Sequence, residues 1–376
     1  MRKLLLLAVL LAGCTTAKKT TVTETPIPDV SSLRLLHKYV VPYNRPFKGT
    51  TIGGLSGIDY DSARKVYYII CDDRSEKQPA RFYTAQVPVS RKEGDSVIFK
   101  DVTYLRKRDG KTYPSKQDFA PDPEAMRYNP HTQSFVWSSE GERILSPAGY
   151  ILNDPGVYEI DGLGRLVDSF PLPPQFHMQA SENGPRRNGT FEGLGFTPNG
   201  QYMFVSLEEP RYEDGPRADL KDTTAYTRLI KYDIQTRKPV AQYAYRLSPV
   251  AHAPVPADEF RVNGISDILP LSSDKLLVME RSYSRGVKNN TIRVYTIEIG
   301  NATNINNIGS LKTTKSFTPV KKTLLLDFDT LHTYVDNVEG MTFGPVLPNG
   351  HRSMIFVVDN NFDKDEETQF FVFEVE

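Results

Sequence analysis

Residues 190–210 read TFEGLGFTPNGQYMFVSLEEP, from Thr190 to Pro210. An apolar strand over 191–196, a tight turn at Pro198-Asn199-Gly200 and a second apolar run over 202–207 spell two antiparallel strands joined by a short loop. Acids mark both strands: Glu192 opens the first, and Glu208 and Glu209 close the second.

The same pattern recurs along the chain. LSGIDYD (55–61), VYYIIC (66–71) and Asp72-Asp73-Arg74 form one copy; PEAMRYNP (123–130), residues 134–138 and Glu140-Gly141 form another. A less regular copy has VNGISDIL (262–269), residues 275–279 and Glu280-Arg281, and the last has VEGMTFGP (338–345), residues 353–358 and Asp359. The step is 68 residues from Ser56 to Glu124 and again from Glu124 to Glu192, then 71 to Asn263 and 76 to Glu339. In the first three copies the closing acid follows the marked position by 16 residues; the fourth requires a one-residue insertion and the fifth a four-residue one. A near-constant period of this size marks stacked or radial supersecondary units.

Further strand-like segments bring each unit to about four strands, the blade of a β-propeller. The last unit stops at three, and LRLLHKYVV (33–41) at the chain start supplies the fourth. A strand donated in this way closes the ring and removes an exposed sheet edge. The expected fold is therefore an all-β, single β-propeller over residues 33–376 with five four-stranded blades, six being the alternative. Insertions at 106–121, 175–188 and 210–222 are expected to form loops over one face of the ring.

Composition agrees with a strand-rich core: of 376 residues 39% are hydrophobic, including 20 Tyr and 19 Phe, with 25 Gly and 27 Pro for turns. Lys plus Arg and Asp plus Glu are both 46, so the basic excess of a nucleic-acid binder is missing. The N-terminus carries Arg2-Lys3, an apolar stretch from Leu4 to Leu11, and then Leu11-Ala12-Gly13-Cys14. This is a signal peptide over residues 1–14 whose end resembles a bacterial lipobox, with Cys14 as the lipidated residue. Thr15 after the cysteine favours an outer-membrane destination, and the polar residues 15–32 read as a flexible tether. Only Cys71 is then left, a buried thiol rather than a nucleophile. A monomer anchored at the cell envelope through its lipid is expected.

In a propeller the innermost strands line the central channel, so equivalent positions converge. Glu124, Glu192, Asn263 and Glu339 would form one ring there, and Asp72, Asp73, Glu140, Glu208, Glu209, Glu280 and Asp359 a second cluster. Crowded carboxylates repel and raise one another's pKa, so a cation, shared protons or arginines must compensate. Oxygen ligands without a His or Cys cluster suit Ca²⁺ or Mg²⁺ better than zinc, with Ca²⁺ the first choice. The metal ligands are accordingly expected among Asp72, Asp73, Glu140, Glu208, Glu280 and Asp359, and the catalytic carboxylates at Glu124, Glu192 and Glu339. Arg74, Arg127 and Arg281 lie beside these acids, and a guanidinium fork suits a phosphate. The competing reading is that the acids hydrogen-bond turns and the arginines merely neutralise them.

The set GLSGI (54–58) with Asp72-Asp73-Arg74, DPEAM (122–126), FEGL (191–194) with SLEE (206–209), GISDI (264–268) with Met279-Glu280-Arg281, and VEGM (338–341) resembles the phytase-like family, labelled "esterase-like activity of phytase". The resemblance implies a propeller whose repeated Glu and Asp serve phosphoester hydrolysis. Ser56 and Asn263 depart from it where other units have Glu. Two functions follow as expectations: a Ca²⁺-dependent hydrolase of a small phosphoester at the cell envelope, or a non-catalytic propeller binding a glycan, polymer or protein partner there.

Overall fold

A computed structural model of the chain describes residues 29–90, 92, 95–115, 120–222 and 224–376. The signal peptide, Cys14 and most of the tether lie outside the described residues. Among those described, strands dominate and helix is limited to two 3₁₀ turns, at Pro174–Phe176 and Phe328–Leu331.

Five four-stranded antiparallel sheets carry the fold. From the axis outward the first blade runs Leu55–Asp61, Val66–Cys71, Arg81–Gln86 and Ile98–Tyr104. The second runs Pro123–Asn129, Ser134–Ser139, Gly156–Ile160 and Leu166–Phe170. The third uses Phe191–Phe196, Tyr202–Leu207, Tyr226–Asp233 and Pro239–Arg246. The fourth uses Arg261–Pro270, Lys275–Ser284, Thr291–Glu298 and Lys321–Asp327. In the fifth, Asn337–Val346, Arg352–Asp359 and Thr368–Val375 are followed by Leu33–Val41. Each innermost strand packs against those of both neighbouring blades, in cyclic order. The ring is five-bladed.

Closure is made by hydrogen bonds at the outer edge of the fifth blade. Leu33 pairs with Val375 and Val41 with Thr368, antiparallel, with one bulge between Leu35 and His37. The N–H groups of Ser31 and Ser32 then donate to the carbonyl of Glu376.

The core follows from strand alternation. Side chains on a strand point alternately to its two faces, and here each face meets a different neighbouring blade. Ile355 and Val357 pack with Leu55, Ile58, Ile69 and Tyr83 of the first blade. Met354, Phe356 and Val358 pack with Leu277, Met279 and Ile292 of the fourth. Similar clusters fill the remaining three blade interfaces. Because both faces are buried, the second strands read as unbroken apolar runs. Two short hairpins, Glu142–Ser146 with Gly149–Asn153 and Pro46–Phe47 with Thr50–Thr51, stand apart from the blades; their strands are too short to mark themselves in the sequence.

Phe356 packs against Phe328 and Phe373 at ring-centroid distances of 5.1 and 5.2 Å and is fully buried. Phe356→Ala is expected to destabilise the domain by about 3–5 kcal/mol, read as a lower urea midpoint with an unchanged m-value. A wild-type midpoint would show that blades four and five do not depend on this contact.

Candidate functional site

Every innermost strand carries a register break close to its axial end. The breaks fall between Leu55 and Gly57, Pro123 and Met126, Phe191 and Leu194, Ile265 and Asp267, and Val338 and Gly340. A bulge bends the strand and re-aims a side chain, and the residue aimed into the channel is Ser56, Glu124, Glu192, Ser266 or Glu339. The residue after it lies against the next blade. A Cβ on Gly340 would stand 2.9 Å from the Ser56 carbonyl oxygen, and one on Gly57 2.8 Å from that of Glu124. Gly193 approaches Asp267 and Ile268 in the same way, with a Cβ 2.6 Å from the Ile268 nitrogen. Glycine is what lets these strands close to a narrow ring.

This geometry corrects the fourth repeat. Its marked position is Ser266 rather than Asn263, because the bulge falls three residues later than the Asn-Gly pair suggests. Asn263 instead donates to the Ser248 carbonyl and to Glu280. The closing position moves as well: Asp72, Glu140 and Glu208 each donate their N–H to the innermost strand at Gly54, Asp122 and Thr190, and Arg281 pairs with Gly264 at the corresponding place. Arg281 therefore stands where the other blades have Asp72, Glu140, Glu208 and Asp359. Glu280 lies off the basin, bonded by Lys322, Tyr245 and Asn263 at 2.6, 2.7 and 2.8 Å, and is no ligand of the axial cluster.

Around the axis these positions form an open basin of about 680 Å³ lined by eight carboxylates, among them Asp72, Asp122, Glu124, Glu140, Glu192, Glu208 and Glu339, and by Arg74, Arg187, Arg217 and Arg281. The insertions expected over one face supply Arg187, Asn188 and Arg217. Three carboxylate triples have oxygens within 4.8 Å of one another: Asp122 with Glu124 and Glu140, Glu124 with Glu192 and Glu339, and Glu140 with Glu192 and Glu208. The Ser56 hydroxyl lies 2.9 Å from Glu124 Oε2 and 3.3 Å from Glu339 Oε2, its single proton between the two. Arg281 donates to Glu208 at 2.9 Å and to Glu339 at 2.7 Å, and Arg74 Nε sits 2.6 Å from Asp122.

The arginines do not satisfy the whole cluster. Glu192 Oε2, Asp122 Oδ2 and both carboxylate oxygens of Asp359 are buried without a hydrogen-bond partner. Burial, then repulsion from neighbouring carboxylates, pushes Glu124, Glu140, Glu192 and Asp359 well above the usual carboxylate range. Burial likewise lifts Asp72 and Glu208 to about 7, Arg74 and Arg281 opposing the rise, and Asp122 to about 8. Orphaned anionic oxygens in several converging triples are the donor set a hard divalent cation requires, so the residues present fit Ca²⁺.

Two further expectations are corrected. Asp73 faces away from the basin: it accepts N–H bonds from Glu76, Lys77 and Gln78 and a 2.9 Å bond from buried Arg81, which organises the turn after the first blade's second strand. Arg127 lies three residues along its strand from Glu124, below the basin. Its guanidinium donates to both oxygens of Asp267 at 2.9 and 2.8 Å and to four carbonyls, those of Ile58, Met126, Ile268 and Met341, and it is 3% exposed. It plugs the channel and does not line the basin. Asp122, Asn337 and Asn361 reach the basin although no role was expected of them. Asp122 and Asn337 share one repeat position, just before the bulge, which extending the repeat alignment by two residues would have marked.

Fold and site together define a five-bladed β-propeller with an acidic, arginine-edged basin at one end of its axis, whose carboxylate groups could hold a metal ion. The chain belongs to the phytase-like family, described as "esterase-like activity of phytase", whose profile matches residues 50–362. No curated protein matches it in sequence. Solved structures similar to it include an endo-arabinase from Bacteroides thetaiotaomicron VPI-5482, at 10% identity over 89% of this chain and 98% of that one, with a TM-score of 0.41. An α-L-arabinofuranosidase from Lactobacillus brevis matches at 8% identity over 89% and 92%, with a TM-score of 0.45.

Raised carboxylate pKa values mean that the folded chain holds more protons than the unfolded chain between about pH 4 and pH 8. Without a cation, stability is therefore lost as pH rises through that window. The melting temperature of chelated protein should fall from pH 5 to pH 8, and added Ca²⁺ should raise it more at pH 8, where protons compete less. A Ca²⁺ shift equal at both pH values would mean that the ion binds elsewhere. Separately, Arg127→Met strands Asp267 in the interior and should cost about 3–5 kcal/mol in urea denaturation; a loss under about 1 kcal/mol would mean the pair is solvated like a surface bridge.

Proposed function

We propose that this protein is a divalent-metal-dependent phosphoester hydrolase, held at the cell envelope through a lipidated Cys14. The observation that carries the proposal is the axial cluster, where orphaned oxygens of Glu192 and Asp122 face one basin with the guanidinium groups of Arg74 and Arg281. The phytase-like family supports it, and the lipobox-like LAGC (11–14) supports the location.

Asp122, Glu124, Glu140, Glu192, Glu208 and Glu339 are the residues that would hold the cation. When bound, Ca²⁺ supplies charge neutralisation and Lewis-acid polarisation of a phosphoryl group. The protein's own groups divide the remaining work. Arg74 and Arg281, fixed by their carboxylate partners, present positive charge to the phosphoryl oxygens. Glu192, whose Oε2 has no hydrogen-bond partner, accepts the proton of the attacking water in its ionised form. Water oxygen bonds to phosphorus, the ester P–O bond breaks, and one water proton ends on the departing alcohol while the rest of the water stays with the phosphate. Arg127 and Asp267 close the far end of the channel, so substrate and products use one mouth.

The test is hydrolysis of a phosphomonoester and phosphodiester panel by the domain from Ser32 onward, after chelation and after Ca²⁺ is restored. Turnover that requires Ca²⁺ and falls at least about 100-fold in Glu192→Gln is the expected result. No turnover on any ester, with Ca²⁺ still raising the melting temperature, would make the basin a structural metal site and favour the binding propeller.

A further inference from the structure

The basin is lined unevenly, and the uneven wall carries information about the substrate. Four blades contribute carboxylates at the closing position; the fourth contributes Arg281, and its marked position is Ser266. On that same wall stand Phe260, Val262 and Tyr283. In the antiparallel register Gly264 pairs with Arg281 and Val262 with Tyr283. Strand side chains two residues apart share a face, so Phe260, Val262, Arg281 and Tyr283 form one strip, with Gly264 adding no bulk. Arg281 and Tyr283 lie about 7 Å apart along the strand. The rings of Phe260 and Tyr283 meet at 6.1 Å and 41°, yet Phe260 remains 50% exposed. A phenylalanine half open to water beside a charged basin presents a free aromatic face.

The basin is also larger than a phosphate needs. At about 680 Å³ it has the size of a site for a whole small molecule. We infer that the preferred phosphoester carries an aromatic alcohol portion, its phosphoryl group directed at Arg281 and the acidic wall and its ring packed on Phe260 and Tyr283. The inference rests on the phosphoester reading and narrows it. An aryl ester spans the step from guanidinium to ring along the strip. An alkyl ester would leave the Phe260 face uncovered, and a second anionic group placed there would meet no cation on that strip.

Binding separates this inference from the reading beneath it. Phenylphosphonate and methylphosphonate, which present the same anion with and without a ring and cannot be hydrolysed at an ester, are titrated calorimetrically into Ca²⁺-loaded protein. Wild type is expected to bind phenylphosphonate about two- to tenfold more tightly. Phe260→Ala should abolish that preference while leaving methylphosphonate affinity and the melting temperature as in wild type, and Phe260→Trp should keep it. The ratio of kcat/KM for phenyl over ethyl phosphate should move with it. Equal binding of the two phosphonates, or an unchanged preference in Phe260→Ala, would overturn the inference alone. Failure of both phosphonates to bind would overturn the phosphoester reading and the inference together.

Discussion

The structure depends on holding like charges close together in a buried place. Carboxylates from four blades converge on one axis, and each would be more stable dispersed in water. No single sheet could force that convergence. A closed ring can, because the side chains at the axis cannot separate without opening an interface packed with Phe356, Ile355, Leu277 or their equivalents. The apolar interfaces between blades are the source of the work done against the charges at the centre. The closing strand Leu33–Val41 matters for the same reason, since an open ring could relax the cluster by parting.

Two devices bring the backbone near enough. The bulge recurs in all five innermost strands and turns one residue per blade toward the axis. In three of them the glycine that follows, Gly57, Gly193 or Gly340, lets the adjacent strand approach within a distance that a Cβ would forbid. Neither device makes the acids necessary: Ser56 and Ser266 sit on the same bulges. The scaffold thus specifies direction, and the side chain at each bulge specifies charge. That separation allows one blade to differ from its neighbours at no cost to the ring.

Much of this was legible because the first three repeats keep identical spacing. Glu124 and Glu192 fall 68 residues apart with matching closing acids, and the convergence of both with Glu339 follows from five blades alone. The two misreadings in the fourth repeat share a cause. Asn263-Gly264 imitates Glu-Gly, and Glu280 imitates a closing acid, so an apolar-and-acid pattern finds a register three residues early at one end and one residue early at the other. Only the hydrogen-bonded pairing of Ile265 with Glu280 and of Asp267 with Met279 reveals the true bulge. Arg127 was misread for a different reason. Being near an acid in sequence does not say on which side of the bulge a residue lies, and three residues along a strand carry a side chain to the other end of the channel. Asp73 likewise adjoins Asp72 but points to the opposite face of the chain.

The fourth blade gives the asymmetry its meaning. A fifth carboxylate at the place of Arg281 would add repulsion to Glu208 and Glu339, the two groups the guanidinium now bridges. With the arginine there, that side of the basin carries its own counter-charge, and the unsatisfied oxygens are left at Asp122, Glu192 and Asp359, in the remaining blades. Arg281 thus neutralises the Glu208 and Glu339 side, while the carboxylate oxygens without a partner lie around the rest of the circle. At the far end Arg127 and Asp267 form a second fixed pair that seals the axis. The channel is thereby divided into a neutralised, closed half and a charged, open half. The apolar strip at Val262 and Tyr283 rises from the open half, on the one blade whose charge is reversed. A ligand entering there meets a cationic group and an apolar wall on one blade and anionic oxygens on the others, so the broken symmetry of the ring fixes its orientation.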